Sequence, residues 1–419
     1  MNENVWIWNH YATNMIKEQA GRHYWIAEQL KEIGYLPLIF CASTLHNSQE
    51  RISTNKKRFV EIKSSELPFI VINTPQYFGN GFKRIMNMIF FYKNILKVSK
   101  VVAKQNGIPD IIIASSVHPL SLVAGIKVAK KFGIPCICEI RDLWPESIIA
   151  YGKLSKTSLI SRLLYFGEKW IYKHADKLIF TMEGGLKYIE DKKWDFDNGG
   201  PIDKRKIYHL NNGVDLAQFD FNSTNHIFED KDLEDDKTFK VIYTGSIRKV
   251  NDVDFIVDIA EVLNNKGVVD IKFIIFGDGS EKERLIEKCK SENIDNVIFK
   301  DKVPKKYIPY ILNCSNLNLL HFKESSLKQY GASLNKLFEY FASGKPILSD
   351  CEFGYDLIKK YNSGFILDNA NPVKMANEII KIKNMDKDIY EDIGKNARNA
   401  AKDYDFRVLT KQLIEIIEK

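Results

Sequence analysis

The stretch Gly331-Ala-Ser-Leu-Asn-Lys-Leu-Phe-Glu-Tyr-Phe-Ala-Ser-Gly-Lys-Pro346 reads as turn, helix and stop, and runs straight into a short apolar strand, Ile347-Leu348. Small residues open it, and Ser333 has the side chain and the place of a helix cap. Leu337, Phe338, Phe341 and Ala342 recur at helical spacing and give the helix one buried face. Gly344 and Pro346 end it. The start of such a helix offers backbone N–H groups and a partial positive charge, which suit a phosphate. Asn335 and Lys336 stand at that start, and Glu339 lies one turn deeper, placed to accept two hydrogen bonds from a ribose diol. The plainer alternative is an amphipathic helix with a solvated Glu-Lys face, and spacing alone leaves both open.

Outward from this stretch the same alternation fills the chain. In the second half Phe239–Tyr243, Ile271–Phe276, Val297–Phe299, Leu317–Leu320, Ile347–Leu348 and Phe365–Leu367 read as strands with helices between them. In the first half the strands are Val5–Trp8, Leu36–Cys41, Asp110–Ala114, Pro135–Ile140 and Lys177–Phe180, with helices at Gly21–Ile33 and near 119–132 and 157–174. Continuous apolar strands separated by helices mean a parallel sheet covered on both faces. The expected fold class is therefore α/β: two doubly wound Rossmann-like domains facing across a cleft, residues 1–210 and 211–402. The last amphipathic segment, about 403–419, is expected to cross back onto the first. An acidic run, Phe228–Lys237, reads as a surface linker.

A chain of 419 residues with 45% hydrophobic and 27% charged residues has the composition of a soluble globular protein. Its net charge of +7 is uneven. Residues 1–210 hold 30 Lys+Arg against 19 Asp+Glu, or +11, so the remainder holds 31 against 35, or −4. The first half is thus suited to an anionic partner. No acidic residue lies between Glu66 and Asp110, where Lys83, Arg84, Lys93, Lys97, Lys100 and Lys104 interleave with Phe82, Ile85, Phe90, Phe91 and Tyr92. A basic helix with exposed aromatics lies on an anionic membrane surface; the same helix with its aromatics inward is ordinary core. No signal segment and no membrane span are expected. Six scattered cysteines without metal-ligand spacing read as free thiols of a reducing compartment, so the protein is expected in the cytoplasm or on the inner face of the membrane.

Several strand ends carry chemistry. After Trp8 come His10, Tyr11 and Asn14, then Gly21-Arg22 at a helix start, without the Gly-x-Gly-x-x-Gly of a dinucleotide site. A dehydrogenase is excluded on that ground. Ser115-Ser-Val-His118-Pro119 follows one strand and Arg141-Asp142-Leu-Trp144-Pro-Glu146 the next, both at the edge where ligands collect in open α/β sheets. His118 suits a sugar hydroxyl, or else merely caps a helix. Arg141 and Asp142 mark a binding edge or pair with each other. Tyr243-Thr-Gly245 and Phe276-Gly277-Asp-Gly279 put glycine at strand ends for close backbone approach to a ligand, with Arg248 and Lys249 near enough to neutralise a diphosphate. The triplets Asp195-Phe-Asp197 and Asp252-Val-Asp254 do not follow an apolar strand as a metal pair would, and no metal is expected.

Taken together these residues resemble the retaining glycosyltransferases of family 4, which have the GT-B fold. The resemblance spans the chain: Gly21-Arg22 with Ala27-Glu-Gln-Leu30, Asn211-Asn-Gly-Val-Asp215, Tyr243-Thr-Gly245, Phe276-Gly-Asp-Gly279 and Asn335–Pro346. His118-Pro and Glu139-Ile-Arg-Asp-Leu-Trp-Pro-Glu-Ser147 look most like enzymes of O-antigen and capsule synthesis, among them fucosamine transferases. The resemblance implies a nucleotide-sugar donor, here UDP-linked, on the second domain at Gly21, Gly245, Arg248, Lys249, Gly277, Ser333, Asn335, Lys336 and Glu339. It implies a lipid-linked saccharide acceptor on the first, at His10, Arg22, Arg141, Asp142 and Trp144, with His118 and Glu339 at the chemistry. It implies no metal or other cofactor and no nucleic acid. A nucleotide-sugar 2-epimerase and a non-catalytic scaffold of a polysaccharide assembly complex are the alternatives. The sequence departs from the family at Gly331, where a second Glu is usual, and at Ser246 and Asn251, where Arg and Lys are usual.

Overall fold

The computed structural model describes residues 3–46, 48–63, 66–79, 81–150, 152, 154–323 and 325–419. It divides into two compact units, Met1–Asn211 with Leu409–Lys419, and Asn212–Val408. In the first unit the strands are β1 (Asn4–Trp8), β2 (Leu36–Ala42), β3 (Phe59–Ile62), β4 (Phe69–Ile72), β5 (Ile111–Ser115), β6 (Cys136–Ile140), β7 (Lys177–Phe180) and β8 (Ile207–His209). They form one sheet in the order β3-β4-β2-β1-β5-β6-β7-β8, parallel except for β3, which runs against β4 at the edge. Runs such as Val5-Trp-Ile-Trp8 and Ile111-Ile-Ile113 are buried because β1 and β5 lie mid-sheet with helices on both faces. The short β3, β4 and β8 extend the sheet beyond the sequence reading; β3 is half-exposed, as an edge strand is.

The chain builds outward from β1 to β2 and β4, then returns to β5 and builds the other way. Right-handed crossovers therefore place the helices Phe82–Asn106, Pro119–Phe132 and Leu159–His174 on one face of this sheet, opposite Arg22–Glu32. The middle helix packs on both its neighbours. Gly125 lets it lie close to the sheet: a Cβ there would come within 2.7 Å of the Ala114 methyl. On the long helix Phe82–Asn106 the two readings divide by face, for Met88, Phe91, Ile95 and Val98 are buried while Phe82, Ile85 and Phe90 are exposed.

The second unit carries β9 (Phe239–Thr244), β10 (Ile271–Phe276), β11 (Val297–Lys300), β12 (Leu317–Leu320), β13 (Ile347–Ser349) and β14 (Gly364–Ile366) in the order β11-β10-β9-β12-β13-β14, all parallel. Its core joins Val241, Tyr243, Phe273, Ile275 and Leu319 of the sheet to Ile256, Ile259 and Leu263 of the helix Asp254–Asn265. The acidic run Phe228–Lys237 is not a linker. It contains a short helix, Lys231–Glu234, capped by Asp230, with Leu233 buried and Lys300 of β11 2.6 Å from both Asp230 and Asp232. Its carboxylates are there to meet that lysine. The final helix, Phe406–Glu418, belongs to the first unit from Leu409 onward, where Lys177 donates to the carbonyls of Ile416 and Ile417. Among the described residues no helix is long and apolar enough to cross a membrane. Five of the six cysteines are buried and all are free.

Candidate active site

In each sheet the strand order reverses once, between β1 and β5 in the first unit and between β9 and β12 in the second. In open α/β sheets the carboxyl ends of such strands are where ligands bind.

In the second unit, β9 ends at Thr244 and its loop is laced to the loop after β10. Gly245 N–H donates to the Phe276 carbonyl (3.0 Å) and Ile247 N–H to that of Asp278 (2.9 Å). A Cβ on Gly277 would fall 1.9 Å from the Gly245 oxygen, and one on Gly279 2.1 Å from the Ile247 oxygen. Loop-on-loop packing alone requires glycine at both positions. Gly245 differs, since a Cβ there would meet the Tyr243 hydroxyl and the Lys336 ammonium at 2.9 and 3.0 Å. The helix Asn335–Ser343 is tied to this edge by Tyr340, whose hydroxyl accepts from Thr244 N–H at 3.1 Å. Lys336 lies 4.1 Å from the Tyr243 ring centroid, a cation–π distance. Desolvation draws its pKa down to about 8, with Glu339 pulling the other way. Glu339, one turn on, faces Lys305 at 3.2 Å and keeps part of its carboxylate exposed. Gly245, Lys336 and Glu339 thus come together at the switch point.

Ser333 is not the cap of that helix. The cap position is Leu334, in extended backbone, and no side chain bonds there. The Ser333 hydroxyl instead accepts from Asn212 N–H (2.9 Å), and its carbonyl accepts from the Asn212 amide (2.8 Å). Asn335 is exposed at the helix start, and Arg248 and Lys249 are exposed in the turn after Ile247. Ser246 and Asn251, where the family pattern has cations, are hydrogen-bonded to each other at 3.0 Å. Gly331 has φ +82°, a backbone that favours glycine. The Asp-x-Asp carboxylates have protein partners: Asp252 faces Lys323, Asp254 bonds Arg284, and Asp195 is buried with Asn198 on it.

One residue of this edge escaped the sequence reading. His321 follows β12 directly and bonds through Nδ1 to the carboxylate of Asp350, just after β13; its ring stacks on Phe255 at 5.0 Å. The carboxylate takes the Nδ1 side of the ring, and the buried Nε2 has no partner among the described residues. The signal was a histidine at the end of an apolar strand.

In the first unit the corresponding edge is a buried polar network. Glu139 of β6 accepts from Arg22 Nε (2.6 Å), meets His23 Nε2 (2.8 Å) and accepts from the Ser115 hydroxyl (2.8 Å). Burial pushes its pKa up, but Arg22 and His23 outweigh that and hold the carboxyl well below its usual range. Arg22 also donates to the carbonyls of Leu210 (3.0 Å) and Asn211 (2.5 Å). Arg22, expected on the acceptor side, is therefore an internal brace; the helix start turns it inward to the only buried carboxylate on β6. Gly21 at that start has φ +117°, and a Cβ would meet the Met15 methyl at 3.0 Å.

His10 is likewise buried, and burial lowers its pKa to about 3. Its Nε2 faces Asn87 Oδ1 at 2.6 Å, and its Nδ1 faces His118 Nε2 at 2.7 Å. Asn87 orders this chain. Its amide nitrogen donates to the Pro75 carbonyl (2.6 Å) and to Thr44 (3.0 Å), so its oxygen can only accept from His10. Neutral His10 then carries its proton on Nε2, and its bare Nδ1 accepts from His118 Nε2–H. What remains is His118 Nδ1, a buried lone pair with no partner among the described residues. His118 begins the helix Pro119–Phe132 without capping it. Arg141 N–H donates to the Ser116 hydroxyl at 2.8 Å; its guanidinium forms no ion pair with Asp142 among the described residues. Trp144 precedes a cis proline and lines an apolar cavity with Ser116 and Asp142.

The chain aligns over its whole length with several solved structures. It aligns with sucrose-phosphate synthase of Thermosynechococcus elongatus at a TM-score of 0.73 and 14% identity, over 100% of this chain and 98% of that one. For the E. coli trehalose-6-phosphate protein bound with UDP-2-fluoro glucose the values are 0.72 and 11%, over 99% of both chains. For Anabaena Alr3699/HepE in complex with UDP and glucose they are 0.66 and 14%, over 100% of both. The fold is GT-B. At such identities the likeness carries the fold alone. Residues 225–400 match the family Glycosyl transferases group 1. A poly(ribitol-phosphate) alpha-N-acetylglucosaminyltransferase of Staphylococcus aureus (strain COL) is 24% identical over 223 residues, 52% of this chain and 40% of that protein. The match thus spans less than half of that relative's length.

Proposed function

We propose that the protein is a retaining glycosyltransferase that moves a sugar from a UDP-sugar to a lipid-diphosphate-linked saccharide in surface polysaccharide synthesis. The observation that carries this reading is the meeting of Gly245, Lys336 and Glu339 at the switch point of the second sheet, inside the segment that matches the glycosyltransferase family. Glu339 accepts the ribose hydroxyls, exchanging its contact with Lys305 for theirs. Lys336 and Lys305, with Arg248 and Lys249 in the neighbouring turn, meet the diphosphate charge as the leaving group departs. The carboxylates of both Asp-x-Asp triplets are engaged with protein groups, which supports stabilisation of that charge by the protein without a metal. His118, held as a neutral acceptor, suits a sugar hydroxyl. Solved neighbours whose structures hold UDP or UDP-glucose support the donor. The donor sugar is an N-acetylated amino- or deoxy-sugar, in keeping with the relative that transfers N-acetylglucosamine.

The cationic first half supports an anionic acceptor and a peripheral place on the inner membrane face. Purified protein incubated with UDP-sugars and lipid-linked acceptor in EDTA is expected to form product with retained anomeric configuration. Activity that vanishes on chelation rejects the metal-free mechanism, and release of UDP and free sugar without acceptor favours the epimerase. A Glu339→Ala variant with unchanged UDP affinity removes Glu339 from the site.

A further inference from the structure

Between the helices Pro119–Phe132 and Leu159–His174 of the first unit lies a cavity of about 250 Å³. Its walls are apolar, with Leu122, Val123, Leu163, Phe166 and Trp170 facing it, and one end reaches Ser116 and Asp142 at the carboxyl ends of β5 and β6. We propose that this groove holds the hydrocarbon chain of an anionic lipid whose phosphate head lies at Arg141 and Arg84. The proposal rests on the reading of a lipid-linked acceptor and gives its lipid a seat.

Three observations converge on such a ligand. First, the outer helix bares an apolar stripe: Leu159, Ile160, Leu163 and Phe166 are 81, 61, 68 and 68% exposed. A contiguous apolar surface beside an apolar cavity marks a binding site for something apolar. Second, the helix keeps Gly167 in mid-course, where a Cβ would meet nothing within 4 Å. Glycine at such a place costs roughly 0.5–1 kcal/mol relative to alanine, and no packing explains it, since the residue lines the groove.

Third, the surroundings are cationic. Residues 82–106 and 119–132 contain no carboxylate, and 159–174 contain only Glu168, which is buried and accepts from the Tyr172 and Tyr188 hydroxyls. Lys97, Lys100, Lys104, Lys130, Lys131 and Lys173 are exposed on these three adjoining helices. At the inner end burial raises the pKa of Asp142, while the fields of Arg141 and Arg84 both reach it and work the other way. A neutral hydrocarbon has no use for that charge, and a simple anion has no use for the cavity. A chain carrying a phosphate uses both. The concavity favours one chain lifted into the groove over the flat surface of a bilayer.

Trp144 and Trp170 line the groove, whereas Trp6, Trp8, Trp25 and Trp194 are buried. Titration of the full chain with 11-bromoundecyl phosphate, below its micelle concentration, reads the site directly because bromine quenches indole emission on contact. Saturable quenching is expected. Gly167→Leu, which fills the groove from a position with room for it, is expected to weaken binding at least tenfold, and Leu163→Glu to do likewise. Arg141→Ala should weaken the phosphate probe severalfold and leave 11-bromoundecanol unaffected. Absence of quenching overturns the proposal, as does equal affinity in Gly167→Leu. Binding only to anionic phospholipid vesicles, with the single-chain probe silent, replaces it by a bilayer surface. A dimer in sedimentation that Leu163→Glu dissociates replaces it by a second copy of the chain. UDP-induced thermal stabilisation, measured in parallel, separates the two readings: its absence with quenching intact fails the donor assignment and spares the groove.

Discussion

His118 and His321 each follow the strand just across the switch point from its unit's first, β5 and β12, and each leaves one ring nitrogen buried without a partner among the described residues. They are held by opposite means. His321 rests on a charged group, the carboxylate of Asp350, which bonds its Nδ1. His118 rests on a neutral histidine and an amide, which fix a tautomer but offer no charge. Burial then lowers its pKa well below the usual value, with the field of Arg84 adding to the effect. The first edge is built to hold a neutral acceptor still. The second edge keeps a partly exposed ion pair, Glu339 with Lys305, one turn from the desolvated Lys336.

The difference predicts unequal responses to mutation. The largest effect is expected for Glu139→Ala, which strands Arg22 in the interior; losing one partner of a buried pair costs about 3–5 kcal/mol, read from urea unfolding. An equal loss in Asp350→Ala would erase the contrast between the two edges. Next is Gly277→Ala, where a methyl collides with the Gly245 carbonyl. Overpacking of this kind costs about 1–3 kcal/mol, and UDP affinity should fall with it because the Gly245 loop must move.

Glu168 sharpens the comparison within the first unit, since it is as buried as Glu139 but without a cation in contact. Burial raises its pKa to about 8, against the hydrogen bonds from Tyr172 and Tyr188. The folded state therefore holds a proton that the unfolded chain releases near its ordinary value of 4.5. Stability from this group is full at low pH and is lost as pH rises from about 4.5 through 8, by up to about 1.4 kcal/mol per pH unit. Glu168→Gln should flatten that slope in melts taken from pH 5 to 8. An unchanged slope would mean the carboxyl is ionised in the fold. The smallest stability effect belongs to Glu339→Ala: an exposed pair is worth about 0–1 kcal/mol, so the melting point should barely move while UDP affinity drops about tenfold by calorimetry.

Much of the fold was legible in the chain. Continuous apolar runs such as Val5–Trp8 and Ile111–Ala114 lie where the sequence put them, because a strand covered on both faces is apolar throughout. Edge strands were not legible, since Phe59–Ile62 is half-exposed and resembles a loop. At the sites, residue type pointed to the right edges but not to each residue's task. Arg22 and His10 looked like ligands and are buried braces. Ser333 looked like a cap and holds Asn212. Asn87, which no motif marked, sets two histidine tautomers.

What the sequence determined by itself was the kind of protein: two α/β units, their strand ends and the unequal charge of the halves. Those follow from local patterns of polarity and glycine, which a chain carries at every point along its length. Only the tertiary structure decided which charges are spent on each other. Glu139 meets Arg22 across 117 positions of sequence, and His10 meets His118 across 108. Whether a polar side chain is a brace or a ligand depends on what the sheet brings within about 3 Å of it, and no local pattern records that.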